Sequence, residues 1–211
     1  MEMKPVLQKM VADNNLHARL LNTLSLMENT GARKISVGEN PVTVSLIVLK
    51  HAAEEHRHAY YLKKQIAKLG ENLCPDYSHK YLLAPVESRQ YLHQLDLDVC
   101  RYLKRELDMK GADLRFAAYL LVTYAIEVRA DGLYPVYQEV LDEAGSKVNV
   151  KSIILEEEGH LEEMLHQLKN HLGDWQQHAE AAVKMEEKLF DEWMVSLNGV
   201  KLSAGNAVPS A

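Results

Sequence analysis

Two Glu-x-x-His motifs constrain this chain more than any other feature of its sequence. They run from Glu55 to His58 and from Glu157 to His160. On an α-helix, residues three positions apart lie on the same face about one turn apart, so the carboxylate and the imidazole of each motif can converge on one metal ion. One such motif means little in a chain with 10 histidines, but two of them in separate helices indicate a shared site.

The distribution of apolar and helix-breaking residues predicts an all-α chain. Only 6 prolines and 10 glycines among 211 residues leave long uninterrupted segments, as long helices require. Apolar periodicity and breakers together predict six helices. Their expected ranges are 14–36, 42–69, 86–110, 112–143, 148–171 and 174–197.

The order of these segments predicts two helical hairpins joined by a crossover helix. Short turns around Pro41 and Gly145 separate the helices of each hairpin. Such a chain is expected to form a ferritin-like up-down four-helix bundle with a crossover helix and an extra C-terminal helix. We expect residues 1–197 to form this single domain and residues 198–211 to form a flexible tail.

Each hairpin is expected to supply one further acid from its first helix. Glu28 is the single interior acid of the first predicted helix, and its neighbours on the same face are mostly apolar. Glu127 lies in the fourth predicted helix, on a face that also carries Leu120 and Tyr134. Both glutamates therefore occupy positions where a core residue belongs.

Four glutamates that face one interior require cations. An ionised carboxylate left unpaired in a low-dielectric core costs several kcal/mol, whereas a whole domain is stable by roughly 5–15 kcal/mol. Two divalent ions balance four carboxylates, and two neutral imidazoles complete the set. Mixed carboxylate and imidazole ligation suits iron or manganese better than zinc or calcium. We expect two iron ions (Fe2+/Fe3+), with manganese as the alternative.

The motifs and their spacing resemble the ferritin-like di-iron carboxylate superfamily, which includes rubrerythrins and di-iron oxygenases. The resemblance covers roughly residues 14–171 and selects no single member. It implies that Glu55 and Glu157 bridge the two ions. The full ligand set that it implies is Glu28, Glu55, His58, Glu127, Glu157 and His160. The two cysteines lack Cys-x-x-Cys spacing, so they cannot build the cysteine-ligated iron site that rubrerythrins usually carry.

Three side chains near these residues are candidates for supporting roles. Tyr124, one turn from Glu127, is either a catalytic residue of redox-active or hydrogen-bonding type or an ordinary packed tyrosine. His51 either lines the cavity or is a hydrogen-bonded core histidine. Asp131 either orients a ligand histidine, as carboxylates beside metal sites commonly do, or faces solvent.

Two other segments leave alternatives open. Glu163 and His166 also fit Glu-x-x-His, so they form a competing register in which they replace Glu157 and His160 as ligands. In the first register, Glu163 lies one turn beyond His160 and is a candidate to contact a ligand without binding metal itself. In the last predicted helix, the segment 185–188 is expected to be a solvated face. The apolar stripe of the same helix is expected to pack either on the bundle or on a second copy of the chain.

The charge and the apolar content of the sequence argue against nucleic acids and membranes as partners. A net charge of −6 without an extended basic cluster gives no electrostatic footprint for a nucleic acid or an anionic membrane. No apolar run approaches the roughly 18 residues of a membrane span, and the first residues lack the apolar segment of a signal peptide. We therefore expect a cytoplasmic protein, as a monomer or a homodimer.

The leading functional hypothesis is a non-haem di-iron oxidoreductase that activates dioxygen to oxidise a small apolar organic substrate. The sequence carries no flavin, Rossmann or cysteine-cluster motif, so electrons would come from an external donor or from the substrate. One alternative is a ferritin-like protein that oxidises iron for storage or detoxification. The other is a helical bundle that binds a structural metal only.

Overall fold

A computed structural model describes residues 2–39, 42–43 and 45–200. Throughout this part of the chain the regular secondary structure is helical, which confirms the all-α prediction. The described α-helices are α1 (Met3–Val11), α2 (Asn14–Gly38), α3 (Leu46–Gln65), α4 (Pro85–Leu107), α5 (Gly111–Glu143), α6 (Lys151–His171) and α7 (Trp175–Asn198). None of them combines the length and apolarity that a membrane span needs.

The ends of the helices follow local chemistry. α2 begins at Asn14 as predicted, because the Asp13 side chain accepts the backbone N–H groups of Asn15 and Leu16 at 2.9 Å each, which are donors that a helix start leaves unpaired. α3 is shorter than predicted at both ends, since it begins at Leu46 and gives way to a 3-10 turn at Ile66. The predicted tail over 198–211 lies almost wholly outside the described residues, although Asn198 itself ends α7.

The first helix, α1, was not predicted. Its buried residues are Val6, Leu7, Met10 and Val11, a spacing that places them on one face of a helix. Pro5 lies in the first turn, where proline is tolerated because those N–H groups have no partner within the helix. This face packs mainly against α5 and α2, so the apolar spacing was a usable helix signal.

The helices pack as two hairpins with additional helices around them. α2 packs along α3, and α5 packs along α6. α4 lies against α2, α5 and α7, while α7 lies against α4, α5 and α1. The last helix thus packs on the rest of its own chain. Long polar side chains connect α3 with α6, as in the pairs Lys50–Glu163 and Arg57–Glu156.

Two large apolar clusters fill the interior. One is built from α1, α2, the C-terminal half of α5 and α7, and the other from α4, the N-terminal half of α5, α6 and α7. On α5, Glu127 lies between Ala125 of the second cluster and Ala130 of the first. The acidic centre therefore lies where the two clusters meet.

The prediction that residues 185–188 form a solvated face is wrong at Glu186. This side chain is 1% exposed, and it accepts hydrogen bonds at 2.8 Å from both Nε and Nη2 of Arg129. The Tyr91 hydroxyl donates to it as well. Glu187, the next residue, is exposed. Glu186 thus joins α7 to α5 and α4 through a buried ion pair.

We predict that Glu186→Gln lowers the free energy of unfolding by about 3 kcal/mol, because it leaves the Arg129 guanidinium without its counterion. The value is at the lower end for a broken buried pair, since the Arg129 side chain is still 22% exposed. Urea denaturation measures the loss. Glu187→Gln is the matched control and should stay within about 0.5 kcal/mol of the unchanged protein; equal losses in the two variants would contradict a stabilising role for the pair.

Candidate metal centre

The structure brings all six predicted metal ligands together. They lie on four helices, and five of them are at most 6% exposed, while Glu28 is half-buried. The residues are Glu28 on α2, Glu55 and His58 on α3, Glu127 on α5, and Glu157 and His160 on α6. Their proximity is observed, and their binding of a metal ion stays a prediction.

The ligand atoms form two groups that share one glutamate. Within each group the atoms lie no more than 4.8 Å from one another. The groups are Glu55, Glu127, Glu157 and His160, and Glu28, Glu55 and His58. Glu55 belongs to both groups, and Glu157 also reaches the second one, because its Oε1 is 3.1 Å from Nδ1 of His58. A buried group of glutamates and histidines that can hold a metal ion is therefore present.

Four atoms of this centre are buried without a hydrogen-bond partner in the described structure. They are Nδ1 of His58, Nδ1 of His160, Oε2 of Glu127 and Oε2 of Glu157. Nδ1 of His160 lies 3.5 Å from Oε2 of Glu127 and 3.4 Å from Oε2 of Glu157. Each unpaired buried polar group costs about 1–3 kcal/mol, and native proteins contain few of them. A cation between these atoms supplies the missing partner, so the residues fit a metal centre.

Each ligand histidine is held by a glutamate from the opposite helix. Nε2 of His58 lies 2.8 Å from Oε2 of Glu156, and Nε2 of His160 lies 2.7 Å from Oε2 of Glu54. When Nε2–H donates to a carboxylate, the lone pair of the neutral ring is on Nδ1. Both Nδ1 atoms face the centre, which is the tautomer and orientation that metal binding needs.

Of the two alternatives for Asp131, the structure shows the second, because its side chain is exposed. Glu54 and Glu156, which were not predicted to have this role, lie against the two histidines instead. Arg57 in turn binds both carboxylate oxygens of Glu156. A signal was present in the sequence, because both motifs read Glu-Glu-x-x-His, with an extra acid at the same offset.

His51 and Glu163 lie beside the centre and hydrogen-bond to each other. His51 is 1% exposed, and its Nε2 is 3.1 Å from Oε2 of Glu163. Its Nδ1 is 3.1 Å from the hydroxyl of Tyr119. The ring centroid of His51 is 5.1 Å from that of His160. His51 is therefore a hydrogen-bonded core histidine that packs against a predicted ligand.

Two other predicted residues lie away from the centre. Tyr124 is half-buried and packs against the apolar cluster of α4 and α6. The tyrosine that meets a predicted ligand is Tyr134, which is 2% exposed and donates a hydrogen bond to Oε1 of Glu28. His166 of the competing register is exposed and accepts a hydrogen bond from Asn170. The geometry thus favours the register that ends at His160.

A cavity of about 1100 Å3 opens beside the centre. Glu28, Glu55 and Glu127 line it on one side, together with Tyr119 and Tyr134. Most of the other wall residues are apolar, among them Leu24, Val48, Leu92, Ile126, Leu133 and Phe190. As far as the structure describes the lining, it includes neither Tyr124 nor the two ligand histidines. Three of the predicted ligand carboxylates therefore face the cavity, and the imidazoles lie behind them.

The pKa values of the predicted ligands favour bound protons, which a metal ion would have to displace. Burial raises the pKa of Glu55 and that of Glu127, and neighbouring carboxylates raise both further. Burial disfavours a charged His160, but the nearby carboxylates of Glu127 and Glu157 raise its pKa to about 11. The pKa of His58 is also raised, in spite of its burial, mainly by the Glu157 carboxylate. Burial acts to raise the pKa of Glu157, but its proximity to Glu127, His160 and His58 holds that pKa low.

We predict that metal binding releases protons and that metal stabilises the protein more at high pH. The raised pKa values stabilise the metal-free fold most below the ordinary values of 4.5 for glutamate and 6.5 for histidine, and this contribution is lost as the pH rises toward the folded values. A metal ion binds the deprotonated groups, so the affinity of the centre for metal increases as the pH rises. The difference in Tm between loaded and metal-free protein should widen from about pH 6 to about pH 8.5. A constant difference, with no proton release in calorimetry, would contradict this account.

We predict that Glu54→Gln and Glu156→Gln each weaken metal binding by roughly 10–100-fold, because each loosens the orientation of a ligand histidine. Competition with a chelator of known affinity measures the effect. Glu162→Gln is the matched control, since Glu162 is exposed on the same helix, α6. Affinities equal to that of the control would show that the two carboxylates do not support the centre.

Comparisons with protein-family models, with curated proteins and with solved structures returned no significant match. The functional argument therefore depends on the geometry of the centre and of its cavity.

Proposed function

We propose that this protein is a ferritin-like di-iron oxidoreductase that uses dioxygen to oxidise a small apolar organic substrate. One observation carries the proposal: four buried ligand atoms without partners converge beside a largely apolar cavity. The helix order supports it, since α2 with α3 and α5 with α6 would form the four-helix bundle and α4 its crossover helix.

The donor set supports iron. Four carboxylates and two imidazoles balance two divalent cations, and mixed oxygen and nitrogen ligation suits iron or manganese. When bound, a pair of iron ions supplies the redox chemistry and the open coordination positions that dioxygen requires. The residues at the back of the centre, His58, His160 and Glu157, would hold the ions. Glu28, which accepts a hydrogen bond from Tyr134, lines the cavity and would hold an ion from that side.

The cavity supports an organic substrate. Pockets that hold small organic molecules are usually 300–1,000 Å3 and mostly apolar, and this one has about 1100 Å3. Its apolar walls would bind such a substrate by removing apolar surface from water. They would also keep water away from the carboxylates of Glu55 and Glu127. Electrons would come from an external donor or from the substrate.

We predict that anaerobic loading with Fe2+ gives about two ions per chain and that Glu157→Gln gives well under one, because Glu157 lies between both ligand groups. Elemental analysis after removal of unbound iron measures the ratio, with Glu162→Gln as the matched control. On exposure to oxygen, loaded protein should develop a ferric absorption once and then stay unchanged until a reductant is added.

Three results would contradict the proposal. Iron well below one ion per chain in the unchanged protein, or an equal ratio in Glu157→Gln, would exclude the metal centre. Repeated turnover with added Fe2+, accompanied by a very large iron-filled particle in size-exclusion chromatography, would identify an iron-handling protein instead.

A further inference from the structure

Four polar side chains form a chain of contacts from the protein surface to the cavity wall. Lys50 and Glu163 lie at the surface end, with side chains 44% and 35% exposed, and their Nζ and Oε1 atoms are 2.5 Å apart. His51 is buried in the middle, and Tyr119 lines the cavity at the inner end. None of the four is a predicted metal ligand.

Glu163, at the surface end of this series of contacts, determines which ring nitrogen of His51 carries the proton. Glu163 is partly exposed and paired with Lys50, and hydrogen bonds with Lys50 and His51 lower its pKa, so its carboxylate is ionised and can only accept hydrogen bonds. The His51 nitrogen that faces it, Nε2, must then carry the proton. With one proton on the ring, at Nε2, the lone pair is on Nδ1, and Nδ1 is the atom that the Tyr119 hydroxyl meets.

The tautomer of His51 in turn determines whether the Tyr119 hydroxyl donates or accepts the hydrogen bond between them. Nδ1 of His51 lies 3.1 Å from that hydroxyl, and a lone pair on Nδ1 requires Tyr119 to donate. A hydroxyl has one proton and two lone pairs. Once its proton is bound by His51, the Tyr119 oxygen can only accept further hydrogen bonds.

Tyr119 lines the same cavity as the predicted metal ligands Glu55 and Glu127. Glu127 lies eight residues further along the same helix, α5, so the two side chains are about two turns apart along the cavity wall. A molecule that spans these two turns can contact both the Tyr119 oxygen and a carboxylate.

We propose that Tyr119 orients the substrate and that the substrate is an apolar molecule carrying a hydrogen-bond donor, a hydroxyl or an N–H group. The donor binds to the Tyr119 oxygen, and the apolar remainder lies along the cavity walls. His51 and Glu163 act through Tyr119 as positioning residues. This assignment rests on the proposed function, since it defines the substrate class of the same cavity.

Calorimetry with two probes of equal shape tests the assignment on the metal-free protein. Indole carries an N–H group, and indene has a CH2 group in its place. We expect indole to bind about tenfold more tightly than indene, the equivalent of one net hydrogen bond. Tyr119→Phe should abolish this preference. Tyr124→Phe, on the same helix but outside the described lining, is the matched control and should keep it. The carboxylates that also line the cavity are common to all three proteins.

Two further measurements test whether the preference for indole depends on the direction of these hydrogen bonds or only on how the side chains pack. In Glu163→Gln the side-chain carbonyl still accepts from His51, so the preference for indole should persist, whereas Glu163→Leu should reduce it. Nitrogen-15 NMR of the unchanged protein should show the proton of His51 on Nε2. A proton on Nδ1, equal binding of the two probes, or no binding of either probe would overturn the assignment.

These outcomes are independent of the iron experiment. A preference for indole that depends on Tyr119 supports the substrate class even if loaded protein does not react with oxygen, and that result would contradict only the proposed function. Conversely, normal iron loading and oxidation without a probe preference would overturn only the role of Tyr119.

Discussion

The compensation of charge among four interior glutamates is the constraint on which the rest of this structure depends. Burial alone favours protonated carboxylates, and close packing of like charges strengthens that preference. The pKa of Glu55 and that of Glu127 are raised for these reasons, and neighbouring carboxylates raise those of His58 and His160. The metal-free centre therefore favours protonated side chains. Cations bound between the predicted ligands would take the place of those protons.

The two hairpins are interdependent at this centre. Glu54 of the first hairpin orients His160 of the second, and Glu156 of the second orients His58 of the first. Arg57, which is exposed, forms an ion pair with Glu156 and so connects this set of contacts with the protein surface. Because each histidine takes its orientation from the other hairpin, neither hairpin can present a complete half of the site alone. The positions of the two histidines and the side-chain contacts between α3 and α6 thus depend on each other.

The sequence was informative where a feature repeats locally and uninformative where it depends on contacts across the chain. The motifs of α3 and α6 recur with fixed spacing, so the shared face of Glu55 with His58 and of Glu157 with His160 followed from helical geometry, and the meeting of the two motifs was what the family resemblance implied. The all-α class followed in the same way from apolar periodicity. The burial of Glu186 depends on Arg129 reaching it from another helix, and local pattern alone cannot show that. Tyr124 and Tyr134 share the face of Glu127 in sequence, and only the packing of α2 against α5 shows which one meets Glu28.

The buried pair of Glu186 and Arg129 gives α7 a part in defining the cavity. Arg129 and Phe190 both line it, and the guanidinium lies 3.8 Å from the centre of the Phe190 ring. α7 supplies none of the six predicted ligands, yet it forms part of the wall against which a bound molecule would rest. This part of the cavity wall and the six predicted ligands thus lie on different helices. Substitutions at Phe190 would change the shape of the cavity without altering any residue of the helices that carry the predicted ligands.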